Sequence, residues 1–227
     1  MSQVLLAVAA AVLGLVIGYG THRLNQALGA AEPEATEPPL RQERLWAPLL
    51  DAGLLAYAAY RFGPTVLGLV VGVVIVILVQ VLVFDARHRL ILNRVIYPAI
   101  VLALLVSPVN QLLPGGIGDH VVSALVGAAV AGGLFFILVL VTGGGVGLGD
   151  AKLSFFMGAV LGFFPIFTSP ILRALLYGIV LGGVIALLLL VSRRRGMRDY
   201  IPYGPYLCLG GILVLLFPCG IPGPVVC

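Results

Sequence analysis

Two aspartates carry the chemistry that this sequence offers. Asp150 closes a glycine segment at 142–153, T-G-G-G-V-G-L-G-D-A-K-L, where five of the seven residues from Gly143 to Gly149 are glycine. Inside a helix each glycine costs about 0.5–1 kcal/mol relative to alanine, so the spacing predicts an interruption between two apolar runs. Irregular backbone at membrane depth survives only where it is buried in protein or lines a wet cavity, and an ionisable group there is expensive and usually functional. Asp85 ends an earlier apolar run, ahead of Ala-Arg-His-Arg89. Two carboxylates brought close cannot both ionise cheaply, so they share a proton. One then acts as base on a water while the other, protonated, polarises a carbonyl, which is amide hydrolysis without metal or covalent intermediate. The titration would belong to the pair. Gly147 and Gly149 would admit an extended substrate backbone, with Gly147 expected at a positive φ that a side chain disfavours. Lys152, two residues past Asp150, need not face it on a helix.

Each feature also has a plainer reading. Glycine turns between membrane helices are common, and an Asp capping the next helix would look the same. Asp85 could be a solvated residue among Arg87, Arg89 and Arg94 at a helix end. A phosphate loop is excluded by the absence of G-x-x-x-x-G-K-[ST] spacing and of a preceding strand. The cysteines (Cys208, Cys219, Cys227) have no metal-ligand spacing, and His22, His88 and His120 are scattered, so no metal site is expected.

The elements that must position the aspartates are membrane helices. Of 227 residues 61% are hydrophobic and 10% charged, against roughly 25% charged in soluble domains. This is the composition of an all-α, polytopic integral membrane protein embedded in a lipid bilayer. The net charge of +4 is too weak to suggest nucleic acid. At about 20 apolar residues per crossing, the runs predict about eight transmembrane helices: 4–19, 45–60, 65–84, 95–113, 121–142, 150–167, 171–191 and 203–217. The first has no basic n-region or clear cleavage site and reads as a retained helix. Residues 21–44, with three prolines and four glutamates after Thr21, read as a polar loop. The third run is broken only by Gln80, and the second carries Asp51.

With eight spans, alternate loops share a side. One side then holds Arg23, Arg41, Arg44, Arg87, Arg89, Arg94, Lys152, Arg193, Arg194, Arg195 and Arg198, and the other only Arg61 and Arg173. The richer side is expected to be cytoplasmic, with both termini on the other. Two crossings separate Asp85 from Asp150, so both lie near the cytoplasmic face. A decoy, Gly116-Ile-Gly118-Asp119, repeats the G-x-G-D pattern, but it falls on the opposite face, roughly 30 Å of hydrocarbon away.

Five patches along the chain resemble a known family. Gly147-Leu-Gly149-Asp150-Ala-Lys152-Leu resembles the G-x-G-D-x-K-L motif of type IV prepilin peptidases, the GxGD-type intramembrane aspartic proteases. Asp85 to Asn93 is similar to their first catalytic region, with Leu92 where proline is usual. Ile201-Pro202-Tyr203-Gly204-Pro205-Tyr206 resembles their I-P-F-G-P-[FY] segment, and Pro48-Leu-Leu-Asp51 their P-L-V-E. Leu13-Gly-Leu-Val-Ile-Gly18 is similar to the start of their first-helix pattern, though Tyr19 to Asn25 departs from S-F-L-N-V. The resemblance implies a single membrane-embedded peptidase domain over 1–227 with Asp85 and Asp150 catalytic. Its substrates would be prepilins or pseudopilins, whose short basic leader is removed at a glycine before the apolar helix. It further implies work at the cytoplasmic face of the bacterial inner membrane without a cofactor for proteolysis. Many members also N-methylate the new amino terminus with S-adenosylmethionine and carry zinc-binding C-x-x-C pairs in the first loop. Here 21–44 is a shortened cytoplasmic loop with no cysteine, which puts methylation in doubt. Presenilin-like proteases share G-x-G-D, but no P-A-L triplet is present. A small ion-coupled transporter could use the same carboxylates, but no inverted repeat is visible.

Overall fold

The computed structural model describes residues 3–29, 43–110, 112, 116–143, 146–165, 168–192 and 203–217. Among them are eight α-helices and no strand: α1 (Gln3–Gly29), α2 (Glu43–Phe62), α3 (Val66–His88), α4 (Asn93–Val106), α5 (Ile117–Thr142), α6 (Leu148–Leu161), α7 (Pro170–Val191) and α8 (Gly204–Leu216). Each lies over one of the runs read from the sequence. Four of them (Gln3–Leu28, Val66–His88, Ile117–Thr142 and Pro170–Leu189) are long and apolar enough to cross a membrane. The others are shorter or more polar. At 1.5 Å per residue the 14 residues of α6 extend about 21 Å.

Local chemistry sets the ends. Thr65 caps α3, its Oγ1 accepting from the Gly68 N–H at 3.0 Å. Arg89 closes α3 in the left-handed region at φ 53°, its N–H donating to the Asp85 carbonyl. Expected span four stops early, because Pro108 has no N–H to continue the i→i−4 ladder. A 3-10 turn at Ser107–Val109 takes over. Span six likewise ends at Leu161, where the Phe163 and Phe164 N–H groups turn back to Ser123 Oγ on α5.

One expectation is corrected. The polar stretch from Thr21 is not loop from its start, since α1 runs on to Gly29. Side-chain pairs one turn apart carry it past the apolar run. Arg23 donates to the Tyr19 hydroxyl at 2.8 Å, and His22 meets Gln26 at 2.7 Å. Residues 30–42 of that stretch lie outside the described residues.

α1 packs on α2, α5 on α6 and α7 on α8, while α3 sits between them against α8 and α2. α5 and α6 touch through bare backbone: a Cβ on Gly158 would fall 2.7 Å from Ala128 N and against Gly127. Small residues permit this approach where helices pack without a hydrophobic driving force from water. Asn110 Nδ2 donates to the Val160 carbonyl at 2.8 Å and ties the end of α4 to α6. A buried polar rung crosses the other half of the molecule. Gln80 Nε2 donates to Asp51 Oδ2 at 2.9 Å, and Asn25 Nδ2 to Gln80 Oε1 at 3.2 Å. Asp51, Gln80 and Asn25 are all buried, so each leans on the others for hydrogen bonds. The rung fixes α1 and α2 to α3 five residues from Asp85, about 7.5 Å along the helix.

Candidate active site

Asp85 stands in the last turn of α3 and Asp150 in the first turn of α6, and both are 4% exposed. The α8 start lies against them. The position a Cβ would take on Gly204 is 2.9 Å from Asp85 Cγ and 3.3 Å from Asp150 Oδ1, and closer still to Asp85 Oδ2. The two carboxyl groups therefore lie within the ~4–6 Å over which like charges act strongly on one another. Asp85 Oδ2 is buried and has no hydrogen-bond partner among the described residues. Asp150 Oδ2 accepts from the Gly147 N–H at 3.3 Å. The capping reading and the site reading of Asp150 are thus compatible: one oxygen caps α6 and the other faces Asp85. The solvated reading of Asp85 fails on burial.

Both aspartates line a cavity of about 270 Å³ together with Arg89, Asn93, Gly147, Gly149 and Lys152. The N-terminal end of α6 lines it, bringing the positive end of that helix's dipole toward the acids, and α8 starts against both acids at Gly204. Lys152 does not pair with Asp150. Its Nζ donates to Asn93 Oδ1 at 2.7 Å and lies 5.0 Å over the Tyr97 ring, bridging α6 to α4 beside the cavity. Gly149 abuts the α3–α4 link, where a Cβ would come 3.1 Å from Ile91 Cβ.

The glycine reading shifts in one respect. Gly147 has φ −76° and ψ 144°, ordinary extended backbone, so its conformation does not demand glycine. The position that does is Gly204, where bare backbone lets α8 approach the acids. Sequence reasoning quoted Gly204 only within a motif and had no signal that it touches both aspartates. Pro205 is buried in the first turn of α8, where a missing N–H costs nothing, and Pro202 lies outside the described residues. Arg89 and Asn93 were visible only as neighbours of Asp85. Asp119 caps α5 by accepting from the Gly116 N–H at 3.0 Å, the same device as Asp150, but it is exposed and apart from the cavity.

Residues 72–187, which carry Asp85 and Asp150, match the type IV leader peptidase family. The chain belongs to that family. It is 32% identical over 175 residues to a prepilin leader peptidase/N-methyltransferase of Bacillus subtilis, covering 75% of this chain and 64% of that protein. A protein of the same description from Pseudomonas putida is 30% identical over 174 residues, covering 75% and 58%. One from Pseudomonas aeruginosa is 31% identical over 173 residues, covering 74% and 56%. The chain thus spans less than two thirds of the length of these relatives. No solved structure matches it.

Proposed function

We propose that this family member is a membrane aspartic endopeptidase that removes the short basic leader of prepilins or pseudopilins at the cytoplasmic face. The observation that carries the reading is the convergence of two buried carboxyls, from the end of α3 and the start of α6, on one polar cavity. Asp85 and Asp150 hold one proton between them. The ionised partner takes a proton from water, the water attacks the scissile carbonyl, and the protonated partner donates to the carbonyl oxygen. The departing amine then takes a proton from the pair. The positive end of the α6 dipole faces the region where negative charge develops. Lys152 and Asn93 act as a strut that fixes α6 against α4, so that Asp150 keeps its place. All eight helices cross the bacterial inner membrane in this reading, the shorter ones meeting water in the site cavity. The basic side is cytoplasmic.

The test is co-expression with a substrate built as a short basic leader, a glycine and an apolar helix. Loss of the leader is expected as a shift on a gel, and an unshifted substrate would overturn the reading. Topology gives a second check. Asp119→Ala removes an α5 cap, worth about 1 kcal/mol of stability, and is expected to leave cleavage nearly intact. A cysteine at the same position should be labelled from outside the cytoplasm. A dead Asp119→Ala enzyme, or labelling from the cytoplasm alone, would sink both the topology and the choice of Asp150.

Proteolysis needs no cofactor in this proposal. The family's zinc cysteines have no counterpart in 21–44, where cysteine is absent, so no step is assigned to zinc or S-adenosylmethionine. The cleaved product is expected to leave this chain mostly unmethylated. Mass spectrometry showing complete, protein-dependent addition of one methyl group would overturn that expectation.

A further inference from the structure

Two cations line the acid cavity, and they are held differently: Arg89 is exposed, while Lys152 is half-buried and anchored. Lys152 lies two residues past Asp150, about 200° round α6. The cavity therefore meets the acids on the α3 and α8 side of α6 and the ammonium on its α4 side. Asn93 and Tyr97 stand one turn apart on α4 and share a face. Asn93 Oδ1 accepts from Lys152 Nζ at 2.7 Å. The Tyr97 ring centroid lies 5.0 Å from the same nitrogen, inside the ~6 Å range of a cation–π contact. Lys152 and Asn93 line the cavity and Tyr97 does not, so the ring backs the ammonium from behind. Stability alone does not favour a cation at this point. The ammonium sits at the first residue of α4, the positive end of that helix dipole. An ammonium has three donors and no acceptor. Asn93 takes one and the ring face covers a second side, which leaves a donor for the cavity.

We infer that Asn93 and Tyr97 are positioning residues that hold Lys152 as a hydrogen-bond donor to the substrate's main chain, an inference that rests on the leader-peptidase reading above. The substrate in that reading is a basic leader, a glycine and an apolar helix. None of these brings a carboxylate to the ammonium, and the basic side chains of the leader are repelled by it. Main-chain carbonyls remain, and in an extended segment around the bond they have no internal partner. Gly147 and Gly149 line the same cavity and leave such a segment room to approach. A hydrogen bond from an ammonium is about twice as strong as one between neutral groups. It suits a segment whose glycine has no side chain to grip. This role is separate from the strut between α6 and α4. The strut sets where Asp150 stands and acts on kcat, whereas a donor to the bound main chain acts on KM.

The test measures kcat and KM of the purified full-length protein in detergent micelles. The substrate is of prepilin type, contains no Asp or Glu, and has an amidated C-terminus. Lys152→Met should raise KM about tenfold, the order expected for one lost hydrogen bond to a charged group. A KM within about threefold of wild type, whatever happens to kcat, would overturn the inference and leave Lys152 a strut only. A rise seen only when a Glu is added to the substrate would assign the donor to a side-chain carboxylate and overturn the main-chain reading. Tyr97 is 51% exposed, so its variants leave the core untouched. Tyr97→Leu should raise KM about threefold, with the change confined to KM, as for an exposed cation–π contact. Tyr97→Phe keeps the ring and should restore the wild-type KM. Equal KM for the Leu and Phe variants would overturn the positioning role of Tyr97. Wild-type digestion in parallel separates the failures. No cleavage there refutes the peptidase reading, while cleavage with an unmoved Lys152→Met KM refutes only this inference.

Discussion

Asp85→Asn and Asp150→Asn should each lower leader cleavage by ~10²–10⁴-fold, the range for losing a positioned acid or base, while the protein remains in the membrane at normal abundance. The amide keeps the shape of the carboxyl but cannot take a proton from water or pass one to the carbonyl oxygen. The two losses should also not multiply. Each acid works only with its partner, so the double variant should be about as inactive as either single one, as is usual for groups that act as a unit. Measured rates in matched membranes decide it. Wild-type turnover in either single variant would remove that residue from the chemistry.

Gly204→Ala should be nearly as damaging, although it alters no titratable group. The new methyl would sit 2.9 Å from Asp85 Cγ and 3.3 Å from Asp150 Oδ1, and against Asp85 Oδ2. Either α8 retreats or a carboxyl rotates, and a misplacement of about 1 Å at reacting groups can cost ~10²-fold. The loss should appear in kcat, with KM little changed. Gly183→Ala is the matched control, since a Cβ there meets nothing within 4 Å. Equal activity of the two variants would show that α8 does not press on the acids.

What was legible in the sequence follows the reach of each interaction. Helix positions came from apolar runs, and all eight helices lie over them. Exact ends did not, because capping and i,i+4 pairs act within a turn: α1 continued through polar Thr21 to Gly29 on its own side-chain contacts, and Pro108 cut span four short. The Asp85–Asp150 meeting was allowed by counting crossings but rests on tertiary packing, above all on α8 closing over both acids. Gln80 read as a lone polar break in an apolar run, and Asp51 as a polar residue near a helix start. Their bond spans 29 residues, and no local pattern announces it. Gly147 was assigned a backbone need that its φ of −76° does not have, because a glycine run does not say which glycine is used for space.

The most direct measurement takes the purified protein alone in liposomes with a prepilin-type substrate and reads the product by mass spectrometry. The expected product begins at the residue after the leader glycine, forms equally well in the presence of a metal chelator, and is missing with Asp150→Asn. Uncut substrate with the wild-type protein, or the same product from Asp150→Asn, would contradict the account.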